Sequence, residues 1–194
     1  AEICSEVYTV TNRPDLVSET KLAVKAATLK MHQSDFYFKD LFESGISFDS
    51  AEYSQQLNVA SVFPRFRALS YLRRYDNSGS GAACEFYRIV SPKEVLDSYG
   101  MEITNIAYAA GDVVNIKSAM PLQYALIGIY QNPVTVESTY NSWIANQQPY
   151  AIIFEAIRML FKQIGFDEQS AAYEKLVAEQ VQILKTNNIQ AEGY

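Results

Sequence analysis

At 194 residues and 21.9 kDa the chain has room for one domain, or one domain with a large insertion. Surface scaling buries roughly 70% of the unfolded surface at this size, so no disulfide or metal staple is required. Its 16 basic and 22 acidic residues leave a net charge of −6, which argues against wrapping nucleic acid over the whole surface, because phosphate neutralisation needs clustered Lys and Arg.

Aromatic residues make up 13% of the chain and 14 of them are Tyr. Tyr carries an apolar body and a polar tip, so a surplus beyond the needs of one small core leans toward interfaces. Cys4 and Cys84 lie far apart with no metal knuckle around either, which predicts free thiols in a reducing cytosol. The first residues lack the basic and apolar regions of a secretory signal, as expected of a chain that has lost only its initiator Met. The longest apolar run, Tyr124 to Tyr130, is far short of the ~20 residues that span a bilayer, so no membrane role is expected.

The first regular segment predicted is a helix over Leu16 to His32, opened by Arg13-Pro14-Asp15, with Leu22, Ala26, Leu29 and Met31 as its apolar stripe beside Val24 and Ala27. From Asp35 to about Asn132 the texture changes to short alternating stretches broken by Gly, Pro, Asn and Ser. Ala68 to Tyr75 and Cys84 to Val90 read as strands flanking the loop Asp76 to Gly81, hence a hairpin. Ser91-Pro92-Lys93-Glu94 is a capping box that opens a short helix to about Tyr99, ended by Gly100. Ile103 to Ala109, Val113 to Ala119 and Gln123 to Tyr130 follow, separated by Gly111-Asp112 and Met120-Pro121, and predict an antiparallel meander.

Gln148-Pro149 opens a helix whose stripe is Ile152, Ile153, Ala156, Ile157, Leu160 and Ile164, closed by Gly165. Asp167 then caps a second helix that runs back along the first and frays at Asn187-Asn188. The fold class is α+β: a helical bundle from the N- and C-terminal helices (residues 1–40 and 133–194) with a β-rich antiparallel insertion (41–132).

Enzyme signatures are thin. His32 is the only histidine and stands at a helix end, where it reads as a C-terminal cap facing the dipole; a Ser or Cys nucleophile would need that one ring close by. Ser78-Gly79-Ser80-Gly81 lacks the Lys-Ser or Lys-Thr pair of a phosphate loop and reads as a plain turn. One His and two distant Cys supply no zinc site, and Asp35 with Asp40 is spaced for a solvated face, so neither metal nor cofactor is expected. The clearest charged constellation runs from Phe63 to Tyr75: Arg65, Arg67, Arg73 and Arg74 interleaved with aromatics that include Tyr71 and Tyr75. Arg makes bidentate bonds to carboxylates on a partner or to nucleic-acid phosphates. The alternative is an edge strand whose arginines pair with the chain's own acids and discourage aggregation.

Both ends of the chain resemble the tail adaptor proteins of short-tailed bacteriophages, the head-completion proteins that sit under the portal. At the front the matching text is Asn12-Arg13-Pro14-Asp15-Leu16-Val17, an Ala-rich helix, His32-Gln33-Ser34-Asp35-Phe36 with Lys39-Asp40-Leu41, then Phe63-Pro64-Arg65-Phe66-Arg67 and Leu69-Ser70-Tyr71-Leu72. At the back it is Ile129-Tyr130-Gln131-Asn132-Pro133-Val134, a Trp143 segment, Gln148-Pro149-Tyr150-Ala151-Ile152-Ile153, Gly165-Phe166-Asp167-Glu168 and Ala171-Ala172-Tyr173-Glu174. About two thirds of the chain takes part, and the stretch from Asp76 to Met120 resembles the family least.

The resemblance implies a structural virion protein of the tail and neck, assembled in the host cytoplasm, with no catalysis. Its partners would be further copies of itself in a ring, twelvefold to match a portal, the portal protein above and the tail nozzle or other tail proteins below, with DNA only as passing cargo and no membrane. It places the helical part against the portal, with docking by the C-terminal segment, here Lys185, Asn188, Ile189 and Tyr194. Ring contacts between subunits would then use Arg65, Arg67, Arg73, Arg74, Tyr71 and Tyr75, and a second cluster, Tyr130, Tyr140 and Trp143, where the β part rejoins the helices. Two other classes stand beside this one: a small cytosolic enzyme with an unrecognised site, and a monomeric nucleic-acid binder that uses the arginine strand.

Overall fold

The computed structural model describes residues 2–75, 85–96, 103–133 and 141–192. The fold is α+β, and the chain divides into two compact units, Ala1–Asp40 with Pro133–Tyr194, and Leu41–Asn132. The predicted loop Asp76 to Gly81, Cys84, the end of the short helix at Tyr99 and Gly100, Tyr140 and Tyr194 lie outside the described residues.

The first unit holds helices α1 (Glu2–Thr11), α2 (Val17–Gln33), a 3-10 turn (Phe38–Asp40), and later α5 (Trp143–Gln147), α6 (Pro149–Gln163) and α7 (Asp167–Glu192). Of the predicted α6 stripe, Ile152, Ile153, Ala156, Ile157 and Leu160 are inaccessible or nearly so, the Ile and Leu side chains worth about 1.5–3 kcal/mol each over exposure, while Ile164 is half-buried at the C-cap. Pro149 opens the helix and Gly165, at φ +84°, closes it, the left-handed conformation that residues with a Cβ avoid. Helices α1, α2 and α7 all pack on α6.

The α2 stripe differs from the predicted one. Leu22 is 67% exposed and Ala26 faces solvent, while Ala23, Ala27, Met31, Thr20 and Thr28 are buried. Small side chains let α2 approach α6 closely; the Thr28 Oγ1 donates to the Val24 carbonyl at 2.7 Å, whereas the buried Thr20 Oγ1 has no hydrogen-bond partner among the described residues. α1 has no counterpart in the sequence reading, and α7 continues past Asn188 to Glu192.

A buried carboxylate ties α2 to α6. Glu155 is 0% exposed, and its oxygens accept from Lys30 Nζ at 2.7 Å and from Arg158 Nε and Nη2 at 2.8 Å. Burial pushes the carboxyl up, but the Arg158 and Lys30 bonds outweigh it and hold Glu155 below the usual carboxylate range.

The second unit is a sheet of five strands: β1 (Leu41–Asn58), β2 (Phe66–Arg74), β3 (Phe86–Ile89), β4 (Ile106–Ala110) and β5 (Val113–Gln131), with short helices α3 (Val59–Val62) and α4 (Pro92–Leu96) between them. The order is β1-β5-β2-β3-β4, and β4 also pairs with β5, so strands β2, β3, β4 and the two halves of β5 close into a small barrel with β1 along the far edge of β5. The capping box is in place, since the Ser91 N–H donates to Glu94 Oε2 at 2.9 Å and the Glu94 N–H to Ser91 Oγ at 3.3 Å.

Two strand expectations are corrected. The insertion is not antiparallel throughout, because β3 and β4 pair in parallel across the α4 connection. Val113 to Ala119 and Gln123 to Tyr130 are one strand of 19 residues, with no turn at Met120-Pro121. Pro121 has no N–H to give the ladder, and there the β1 register skips, passing from Leu122↔Glu52 to Lys117↔Ser54. Along β5 the buried positions shift from Val114, Ile116 and Leu122 to Ala125, Ile127 and Ile129, so the strand changes inward phase as it passes from β4 to β2. The predicted turn at Gly111-Asp112 does join β4 to β5, and Gly111 takes φ +61° there.

Because the folded carboxyl of Glu155 lies below its unfolded value, its contribution to stability is fully present above the unfolded pKa of about 4.3 and is lost as the pH falls through the folded one. Replacing Glu155 by Ala leaves the half-buried Arg158 and the more exposed Lys30 without their partner and is expected to cost about 1–3 kcal/mol. Chemical denaturation should show that loss at pH 7, and Glu155→Gln should flatten the acid limb of the stability profile.

Candidate functional site

The two clusters expected at interfaces resolve differently. β2 is not an edge strand, since β5 flanks one side and β3 the other. The arginines along it are engaged within the chain: Arg73 faces Glu43 at 3.7 Å, Arg65 Nη2 donates to Gln131 Oε1, and Arg74 Nη1 lies 3.1 Å from the Met120 sulfur. Arg67 and Tyr130 are half-buried, and Tyr75 is exposed.

Tyr71 and Glu43 stand on opposite sides of Gly128, which is the register partner of both. The Tyr71 ring lies over that glycine, where an added Cβ would come within 2.3 Å of Cε1. The ring therefore crosses β5, and its hydroxyl donates to Glu43 Oε2 on β1. Burial, then the hydrogen bond to Glu43 and its charge, push the phenol up to about 12, so Tyr71 remains a neutral donor throughout the physiological range. Gly128, Tyr71, Glu43 and Arg73 form one cross-strand patch.

Trp143 belongs to the other unit, where it meets residues the sequence kept apart. Asp40, which the spacing assigned to a solvated face, has a side chain only 8% exposed and takes an N–H from Trp143 Nε1 at 2.8 Å and one from His32 Nδ1 at 3.0 Å. The second ring nitrogen, His32 Nε2, lies 2.7 Å from Ser142 Oγ. His32, expected as a C-terminal cap facing the dipole, does stand in the last turn of α2, but it is a buried hub, 1% exposed, with Trp143 packed edge-on at 5.7 Å. In the neutral ring the proton sits on Nδ1 toward Asp40, and Nε2 accepts the serine hydroxyl.

The order Asp40, His32, Ser142 has the connectivity of a serine-hydrolase triad. Its chemistry is closed off. Ser142 is 2% exposed, and its Oγ already accepts the Ile144 N–H at 3.1 Å as the N-cap of α5. A hydroxyl sealed from solvent and used as a cap has no room for a substrate carbonyl, so the arrangement locks α2, the 3-10 turn and α5 together.

Beside this hub is a small cavity of about 170 Å³ between the 3-10 turn, α5 and the end of α7. Lys39 Nζ lies over the Trp143 ring at 5.1 Å and donates to Gln147, while Asn188 is buried and holds the turn in place: its Oδ1 accepts from the Phe38 N–H at 2.8 Å and its Nδ2 donates to the Phe36 carbonyl at 3.0 Å. Of the expected docking residues, Asn188 is thus committed inside the unit, Lys185 is half-buried and Ile189 is 52% exposed. Among the described residues no group of His, Cys, Asp and Glu could hold a metal ion, and no helix is long and apolar enough to cross a membrane. No family model matches the chain, and no curated protein matches it.

A serine-directed phosphonate is expected to leave Ser142 unlabelled in the folded protein, as mass spectrometry will show. Ser142→Ala should cost about 1–3 kcal/mol through the lost cap and the stranded His32 nitrogen. Gly128→Ala, by displacing the Tyr71 ring, should cost about 1–3 kcal/mol in the wild-type background and far less alongside Tyr71→Ala, a coupling that a double-mutant cycle measures.

Proposed function

We propose that the chain is a structural virion protein: a tail adaptor whose copies form a ring joining the portal to the tail nozzle and lengthening the DNA-ejection channel. One observation carries this reading. Two stretches of sequence that resemble tail adaptors, His32 to Leu41 at the front and the Trp143 segment at the back, meet in the hub of Asp40, His32, Ser142 and Trp143. The adaptor-like text at both ends thus converges on one internal lock of the first unit. In this reading α1, α2, α6 and α7 are the helical bundle, the strands are its insertion, and twelvefold symmetry follows from the portal.

Leu22, Tyr53, Phe86 and Tyr150 are each more than half exposed, and burying some of them is what ring contacts in this reading would do. The arginines favour the same reading over nucleic-acid binding, because Arg65, Arg73 and Arg74 are already occupied by neighbours in the chain.

Portal docking falls to the exposed groups at the end of α7. Asn188 fastens the turn that carries Phe36 and Phe38, which are 43% and 39% exposed, and Ile189 follows it. Truncation before Lys185 removes the Asn188 bonds and is expected to loosen the turn. The cleaner variant is Ile189→Asp, which should leave thermal stability unchanged and weaken portal attachment about tenfold or more. Electron microscopy of the protein mixed with its portal is the decisive experiment. Rings beneath portals are the expected result, and bare portals with free monomers under tail-assembly conditions would refute the reading.

A further inference from the structure

The cavity beside the hub has the size and lining to receive an aromatic ring that stands next to a carboxylate. At about 170 Å³ it is comparable to the ~150 Å³ that holds a benzene ring in an apolar pocket. Buried Tyr37 and Leu184 and half-buried Trp143 give it apolar walls, and the exposed side chains of Lys39, Gln147 and Asn187 rim it. Lys39 Nζ carries three N–H groups and gives one to Gln147 Oε1, and it forms no ion pair among the described residues. A carboxylate, which accepts and never donates, is the group that this ammonium and the neighbouring amide NH₂ groups can serve together.

The same chain carries the complementary group at the other end of α7. Phe166, in the turn between α6 and α7, is 46% exposed and is followed directly by Asp167 and Glu168, both exposed and neither in an ion pair among the described residues. Its ring is held edge-on against Phe161 at 6.2 Å, so little freedom is lost when the outer side is covered. A copy cannot serve itself, because Leu184 lies about 26 Å from Asp167 along the helix at ~1.5 Å per residue. A socket with a cation at one end of α7 and an acidic aromatic corner at the other are therefore two halves of a contact between copies. Such a contact is heterologous and passes from copy to copy, as a ring requires.

We propose that the cavity beside Lys39 and Trp143 is filled by Phe166 of a second copy of this chain, with that copy's Asp167 and Glu168 carboxylates facing Lys39. The proposal rests on the ring reading and assigns its lateral contact. The Phe166 ring supplies the buried apolar area, and the charge pairing selects which corner enters the socket. Phe36 and Ile189 do not line the cavity and stay open to the portal.

Sedimentation of the full chain across concentration tests the contact, with the emission of Trp143, the only tryptophan, as a local probe. Association should shift that emission as the ring of the incoming copy covers the indole. Lys39→Glu alters the socket and Phe166→Ser the corner, and each should weaken association about tenfold while the monomer keeps its thermal midpoint. Mixing these two variants should restore one-to-one pairs, because one still offers its corner and the other its socket. Glu168→Lys, which leaves the ring in place, should also weaken association, and Lys39→Glu with Glu168→Lys in one chain should regain it. Association that leaves Trp143 emission unchanged, or that the variants retain in full, would overturn the contact while the ring reading stood. A chain monomeric at every concentration would also overturn it, and rings or bare portals in the microscope would then judge the ring reading separately.

Discussion

The first unit depends on where one carboxylate goes. Asp40 is the last residue before the β unit, and its side chain is nearly sealed from water. A buried carboxylate needs donors, and here they come from both ends of the chain: His32 Nδ1 in the last turn of α2 and Trp143 Nε1 in α5. Ser142 completes the set through the other nitrogen of the same ring, so a single charged group fixes one helix end, one helix start and the turn between them. Glu155 repeats the device on the far side of α2, with Lys30 and Arg158 as donors. The small residues of α2 give little apolar area, and these two polar ties supply the register that bulky side chains would otherwise set.

The parts of the fold that sequence reveals are those whose pattern is local. α6 was legible because its aliphatics repeat at 3.6 residues between a Pro and a Gly, and the capping box at Ser91 because its partners are three residues apart. The face of α2 was not legible, because the larger residue, Leu22, is the exposed one and the alanines are inside. The length of β5 was hidden by Pro121 and by the shift in burial phase around it, which together imitate a turn. The length of β1 was hidden because an edge strand with an exposed side shows little apolar alternation.

The same distinction holds for the sites. The arginine strand was legible as a cluster, but its flanking strands were not, and they decide that it is internal to the sheet. The hub was invisible to spacing, because His32 and Ser142 are 110 residues apart and Trp143 is 103 from Asp40. Its only trace lay in the resemblance, whose front and back stretches each contain one part of it.

The length of β5 also governs when the β unit can form during synthesis. Leu41 pairs with Tyr130 and Asn58 with Val113, so β1 leaves the ribosome first and waits for the last strand of its unit. β2 and β4 wait for it too, since both lean on β5. Non-local pairing of this kind is slow to begin, although β2, β3 and β4 can pair with one another before β5 is made. In that interval β1 is open on both edges, in a cell crowded with nascent strands. Its carboxylates, in the absence of any Lys or Pro, then keep it soluble and apart from its siblings until β5 arrives.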